Sequence, residues 1–155
     1  MKPYTRTGDK GETNIISGRI KKTDEIIRCL GSIDELTATI GIARFNITDD
    51  EIKKILEKLE NKLSKVATAI AGGNEKITLD DVKETEEIID KYYISTDDFI
   101  KPKNKESAFL HLARSICRRA EVNSHRIKAE DNILMYLNRL SDLLFSLATH
   151  FDKEK

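Results

Sequence analysis

Apolar residues recur at intervals of three and four along most of the chain, and each run is bounded by residues that start or stop helices. From Thr23, the expected N-cap, Ile26, Ile27, Leu30, Ile33, Leu36, Ile40 and Ala43 mark a first helix that fades near Asn46. A second opens at Thr48 with Glu51 in capping-box spacing, carries Ile52, Ile55, Leu56, Leu59, Leu63, Val66 and Ile70, and stops at Gly72-Gly73-Asn74. A third starts at Thr78 with Val82, Ile88, Ile89 and Tyr92, and residues 94–104, with Pro102, read as a connection. The fourth runs from about Lys105 through Phe109, Leu110, Ala113, Ile116 and Ala120 to between His125 and Ala129. The fifth follows Asp131, its expected cap, with Leu134, Leu137, Leu140, Leu144 and Leu147.

Residues 1–22 break this pattern. Pro3, Gly8, Gly11 and Gly18 interrupt a stretch rich in Thr and Ser, which reads as an ordered non-helical arm or loop. The expected fold is therefore all-α. It is an up-and-down bundle of five helices, a four-helix core plus one, behind a non-helical N-terminal segment. At 155 residues, segment 1–22 and bundle 23–155 fit one domain with a core large enough to stand without disulfides.

Acidic and basic residues balance to a net charge of zero, so no global field draws in nucleic acid or an anionic membrane, and any anion site must be local. Apolar runs are shorter than the roughly 18 residues needed to cross a bilayer, and the start lacks the apolar stretch of a signal peptide, so the expected location is the cytoplasm. Cys29 and Cys117 stand alone and read as buried small hydrophobes. His111, His125 and His150 share no metal-ligand spacing with each other or with the cysteines, so no protein-held metal site is expected.

Three constellations carry candidate chemistry. Thr5-Arg6-Thr7-Gly8-Asp9-Lys10-Gly11 packs hydroxyls, cations and glycines as an anion nest would, although the same residues suit a Gly-Asp turn. It is not a Walker A loop, having no preceding strand and no Gly-Lys-Thr/Ser at the required spacing. Arg114, Arg118 and Glu121 fall at i, i+4 and i+7 on one helical face with Arg119 beside them, which invites an anion or forms a solvated face with an Arg118–Glu121 pair. Asn138 and Asp142 lie one turn apart; the amide can meet a base, a ribose or a neighbouring backbone. Asp34 can orient an arginine elsewhere or simply face solvent.

Four ordered motifs, Tyr4 to Gly11, Gly31-Ser32-Ile33-Asp34-Glu35-Leu36, Ala113 to Glu121 and Tyr136 to Phe145, together resemble the PduO-type ATP:corrinoid (cob(I)alamin) adenosyltransferases over most of the chain. The resemblance implies a homotrimer with ATP between adjacent subunits and attack by the cobalt of cob(I)alamin on the 5′ carbon of ATP, releasing triphosphate. It implies Thr5, Arg6, Thr7, Gly8, Asp9, Lys10, Gly11, Thr13, Asn14, Lys22, Arg118, Arg119, Glu121 and Asn138 around the nucleotide, with Mg²⁺. Arg114 would meet Asp34 across the subunit boundary, and Phe99 would keep water and the lower ligand off cobalt. The family's Pro-Gly-Gly after that aromatic reads here as Pro102-Lys103-Asn104, and Thr37 replaces the usual Asn. A cob(II)alamin reductase and an adenosylcobalamin-dependent enzyme are the implied partners. The alternative is a non-catalytic ATP-binding or corrinoid-delivery module.

Overall fold

A computed structural model describes residues 2–96 and 101–153. A two-stranded antiparallel hairpin, β1 (Glu12–Ile15) and β2 (Gly18–Lys21), precedes five helices: α1 (Glu25–Asn46), α2 (Asp50–Ile70), α3 (Leu79–Tyr92), α4 (Lys105–Arg126) and α5 (Asp131–Lys153). The five expected helices are present within a few residues of their expected bounds.

Three caps differ from expectation. Asp24, not Thr23, caps α1 by accepting from the amide of Ile26 at 2.9 Å, and Asp49, not Thr48, caps α2 by accepting from Ile52 at 2.9 Å. In each case the carboxylate one residue further on reaches the exposed amides and brings a full negative charge to the positive end of the helix. Glu51, freed from capping, pairs with Lys91 on α3. Thr78 caps α3 as expected and completes a reciprocal box with Asp81, whereas Asp131 is the first residue of α5 rather than its cap.

The helices enclose one core. α4 packs on both α1 and α5, α2 lies on the other side of α1, and α3 lies on the other side of α5. α5 is buried on most of its circumference, from Ile133 to Asp152, as suits the innermost helix. Buried polar contacts fix the register between neighbours. Asn123 Nδ2 donates to Ser32 Oγ at 3.3 Å across α4 and α1, and Cys117 Sγ donates to the Leu137 carbonyl at 3.3 Å across α4 and α5. Both cysteines are buried, and burial pushes both thiols up, so they act as core residues.

The N-terminal arm, expected as an ordered non-helical arm or loop, contains this short hairpin. Its strands are four residues long and alternate between exposed and half-buried positions, with few large apolar residues to announce them. The hairpin tip docks on the end of α2, where the Ser17 amide donates to the Ala71 carbonyl at 3.0 Å.

Candidate nucleotide site

The segment before β1 folds back on the hairpin. Gly11, at φ +84°, accepts through its carbonyl from the Lys22 amide at 2.8 Å, and its own amide donates to Gly8 at 3.3 Å. Gly8 lies so close to Lys22 that a Cβ there would come within 3.1 Å of Nζ. The lysine ammonium therefore sits against the glycine turn. Arg6 is held at φ +62°, a left-handed conformation unusual for a side-chain-bearing residue, and its guanidinium lies 5.6 Å from the Tyr4 ring centre. The Thr5 and Thr7 hydroxyls are 2.8 Å apart. Hydroxyls, turned amides and two cations thus lie along one exposed loop, and these are groups of the kind that bind phosphate.

Arg19, which the sequence reading missed, straps this loop down. From β2 its Nη2 donates to the Thr7 carbonyl at 2.8 Å, Nε to Glu12 at 2.8 Å and Nη1 to Asn14 at 3.5 Å. Its role depends on strand pairing, which sets Asn14 opposite Arg19. Thr13 is half-buried, and Asp9 and Lys10 are exposed at the rim.

On the helices, Arg118 is exposed and makes no ion pair among the described residues, and no Arg118–Glu121 pair forms; Glu121 instead lies 4.0 Å from His125. The Cys117–Leu137 bond holds Arg118 and Asn138, the next residue on each helix, at one level of the α4–α5 pair, and both are exposed. Arg119 pairs with Glu35 on α1. Arg114 Nε is buried with no hydrogen-bond partner, and Asp34 is exposed on α1 without pairing to it.

Among the described residues, no hydrogen bond or ion pair joins the N-terminal segment to α4 or α5. The candidate residues thus fall into two separate groups within one chain, two candidate half-sites: the strapped N-terminal loop and the Arg118–Asn138 level of the bundle. A cleft of about 350 Å³ opens between α3 and α5, walled by Ile89, Tyr93 and Phe145 with Asp142 and the Glu86–Arg139 pair. Asn138, Asp142 and Phe145 follow at i, i+4 and i+7, so one face of α5 runs from the amide into this cleft. Phe99 lies outside the described residues.

The family model for cobalamin adenosyltransferase matches residues 3–151, from the N-terminal loop into the last turn of α5. The chain belongs to the cobalamin adenosyltransferase family. It is 35% identical over 170 residues to the human corrinoid adenosyltransferase MMAB, covering 96% of this chain and 68% of that protein. It is 31% identical over 170 residues to the corrinoid adenosyltransferase PduO of Salmonella typhimurium, covering 99% of this chain but 51% of that protein. The chain thus spans about half the length of the Salmonella relative. Among solved structures, a variant PduO-type ATP:corrinoid adenosyltransferase from Lactobacillus reuteri, complexed with cobalamin and ATP, superposes with a TM-score of 0.91 at 28% identity, covering 97% of this chain and 91% of that one. This family membership agrees with the resemblance drawn from the four motifs, and the helical bundle agrees with the expected all-α fold.

Proposed function

We propose that this adenosyltransferase-family chain moves the 5′-deoxyadenosyl group of ATP to the cobalt of cob(I)alamin, giving adenosylcobalamin and triphosphate. The observation that carries the reading is the family match over residues 3–151, which spans both half-sites. The reaction balances without a protein nucleophile. Cobalt supplies the electron pair for the new Co–C5′ bond, the C5′–O bond breaks, and triphosphate leaves with that bonding pair.

The protein's contribution is alignment and fixed charge. Thr5, Thr7 and the turned amides around Gly8 and Gly11 would hold phosphate oxygens, with Arg6, Lys10 and Lys22 as cations and Arg118 supplied from α4. Asp9, Thr13 and Asn14 complete the loop. Asn138 would meet the sugar or base, and Glu121 would line the same level. Arg119, engaged by Glu35, would hold α1 to α4 beside them. The cleft at Phe145 is our candidate for the edge of the corrinoid, with Phe99 as the aromatic that shields cobalt.

A homotrimer follows from the half-sites. The arm of one subunit would complete the Arg118–Asn138 level of the next, and a partner's Asp34 would satisfy the orphaned Arg114 Nε. Exposed Ile42 and Phe45 on α1 and Leu112 and Val122 on α4 supply apolar surface for that contact. The arm to Lys22 and the bundle from Thr23 onward act as one domain. Among the described residues no group of three His, Cys, Asp or Glu side chains could hold a metal ion. Mg²⁺ is therefore assigned to the ATP complex, ligated by phosphate and water. No described helix is long and apolar enough to cross a membrane. A cytoplasmic location, a reductase donor, an adenosylcobalamin-dependent acceptor and no nucleic-acid partner complete the proposal.

The test is adenosylation of chemically reduced cobalamin, followed by its absorption spectrum. Wild type should form adenosylcobalamin, and Arg118→Ala should lower kcat/KM by about 10² to 10³, the scale for removing a preorganised charge partner. No product at enzyme concentrations stoichiometric with cobalamin sinks the reading. ATP binding without turnover would favour a delivery module.

A further inference from the structure

The phosphate loop is held from within by Arg19 and Lys22, yet the hairpin that carries it is tied to the bundle chiefly at its far end. There the Ser17 amide donates to the Ala71 carbonyl at 3.0 Å, just past the last residue of α2. The chain then turns through Gly72 at φ +91°. A Cβ on Gly72 would lie 2.6 Å from Ser17 Cβ, a distance that real Cβ atoms essentially never show, and a tight 3.3 Å from Ser17 Cα. A Cβ on Gly73 would lie 3.1 Å from Ile16 Cδ1 and 2.6 Å from Thr68 Cγ2. The end of α2 is thus a backbone seat, stripped of side chains where the two turn residues of the hairpin rest.

The hairpin transmits that seat to the site. Its register pairs Ile15 with Gly18 at the tip and Glu12 with Lys21 at the base. The base is continuous with the loop: the Lys22 amide bonds the Gly11 carbonyl at 2.8 Å, and Arg19 grips Thr7. A rigid two-stranded piece fixed at one end and loaded at the other converts a small shift at the tip into a shift of the phosphate-binding groups. We propose that Gly72, seated against Ser17, is a positioning residue for ATP, setting where the arm presents its phosphate loop. This rests on the reading that the N-terminal loop binds the triphosphate of ATP.

The prediction follows from the clash. Gly72→Ala pushes Ser17 away and should raise the KM for ATP about tenfold, the scale of an ångström-level misplacement, while kcat at saturating ATP stays within about twofold. ATP affinity measured by calorimetry without corrinoid should fall in parallel. Adding Ser17→Gly to Gly72→Ala removes the atom at 2.6 Å and should recover most of the lost affinity, although the strained φ at residue 72 remains. Adding Ser17→Ala, which keeps that atom, should recover none. Helical circular dichroism of all variants should match wild type.

An unchanged KM in Gly72→Ala overturns the inference, as does a KM defect that Ser17→Gly and Ser17→Ala relieve equally. If Gly72→Ala does not fold, the single variants decide. Ser17→Gly loosens the tip and should raise the ATP KM a few-fold, Ser17→Ala should not, and equal behaviour of the two overturns the proposal. Removal of residues 2–11 separates the two levels of the claim. ATP binding that survives this truncation refutes the loop as the ATP site, whereas binding lost on truncation but indifferent to Gly72 refutes only the seat.

Discussion

Burial pushes the His111 imidazole below its usual range, the neighbouring Arg114 guanidinium pushes it further, and Asp152, at 3.9 Å, pulls the other way without prevailing. His111 is therefore neutral near pH 7, and the contact with Asp152 is not an ion pair there. An unfolded chain has no such bias and takes up its proton near pH 6.5. The unfolded state thus binds more protons as pH falls, so this contribution to stability is complete above about pH 6.5 and is lost as pH drops toward the lower folded value. Urea unfolding of His111→Gln across pH 5 to 7 should show a shallower loss of stability on acidification than wild type. An equal slope would assign the acid sensitivity elsewhere. At this scale the sequence was a good guide to residue type. Gly8 does lie against Lys22, and the Thr5 and Thr7 hydroxyls meet, but the value of Arg19 comes from reaching Thr7 across a strand pair, which residue type alone does not announce.

Helices were legible because twenty-odd residues of three-and-four spacing leave little room for another answer, and α1, α2, α4 and α5 are that long. The hairpin was not, since four-residue strands of mostly polar residues carry almost no period and are stabilised by docking at Ala71 rather than by their own composition. The caps were misplaced for a related reason. Thr23-Asp24 and Thr48-Asp49 each offer two candidates, and only the geometry of the first turn chooses between them. Asp49→Ala should cost about 0.5–2 kcal/mol in denaturant unfolding, whereas Thr48→Ala should cost much less. The reverse order would restore the cap to Thr48.

For the whole molecule, the separation of the half-sites matters most. Sequence motifs put Arg118, Asn138 and the loop into one list, but among the described residues no hydrogen bond or ion pair joins the loop to α4 or α5, and a list of residues cannot say whether they meet within a subunit or between two. Phe45 is 79% exposed on α1, its ring 4.5 Å from the Arg44 guanidinium, and exposed Ile42 lies one turn before it on the same helix. Phe45→Glu should disperse the proposed trimer to monomers in sedimentation and abolish adenosylation with helicity retained, because an unpaired charge in an apolar contact costs several kcal/mol. Arg118→Ala, by contrast, should remain assembled. A wild-type chain that sediments as a monomer at micromolar concentration would remove the basis for shared sites.

Side-chain hydrogen bonds close one end of the α4–α5 pair. There, Asp152 is buried near the C-terminal end of α5, and its carboxylate accepts from the Lys103 amide at 2.8 Å and the Ser107 hydroxyl at 2.8 Å, while Asn104 Nδ2 donates to the Phe151 carbonyl at 2.9 Å. Lys103 itself is exposed and precedes α4. Its amide should nonetheless exchange with deuterium at the slow rate of the helix interior, since release requires the last turn of α5 to open. The start of α4 and the end of α5 would then open together as one cooperative unit, joining chain positions 103 and 152 in a single exchange event.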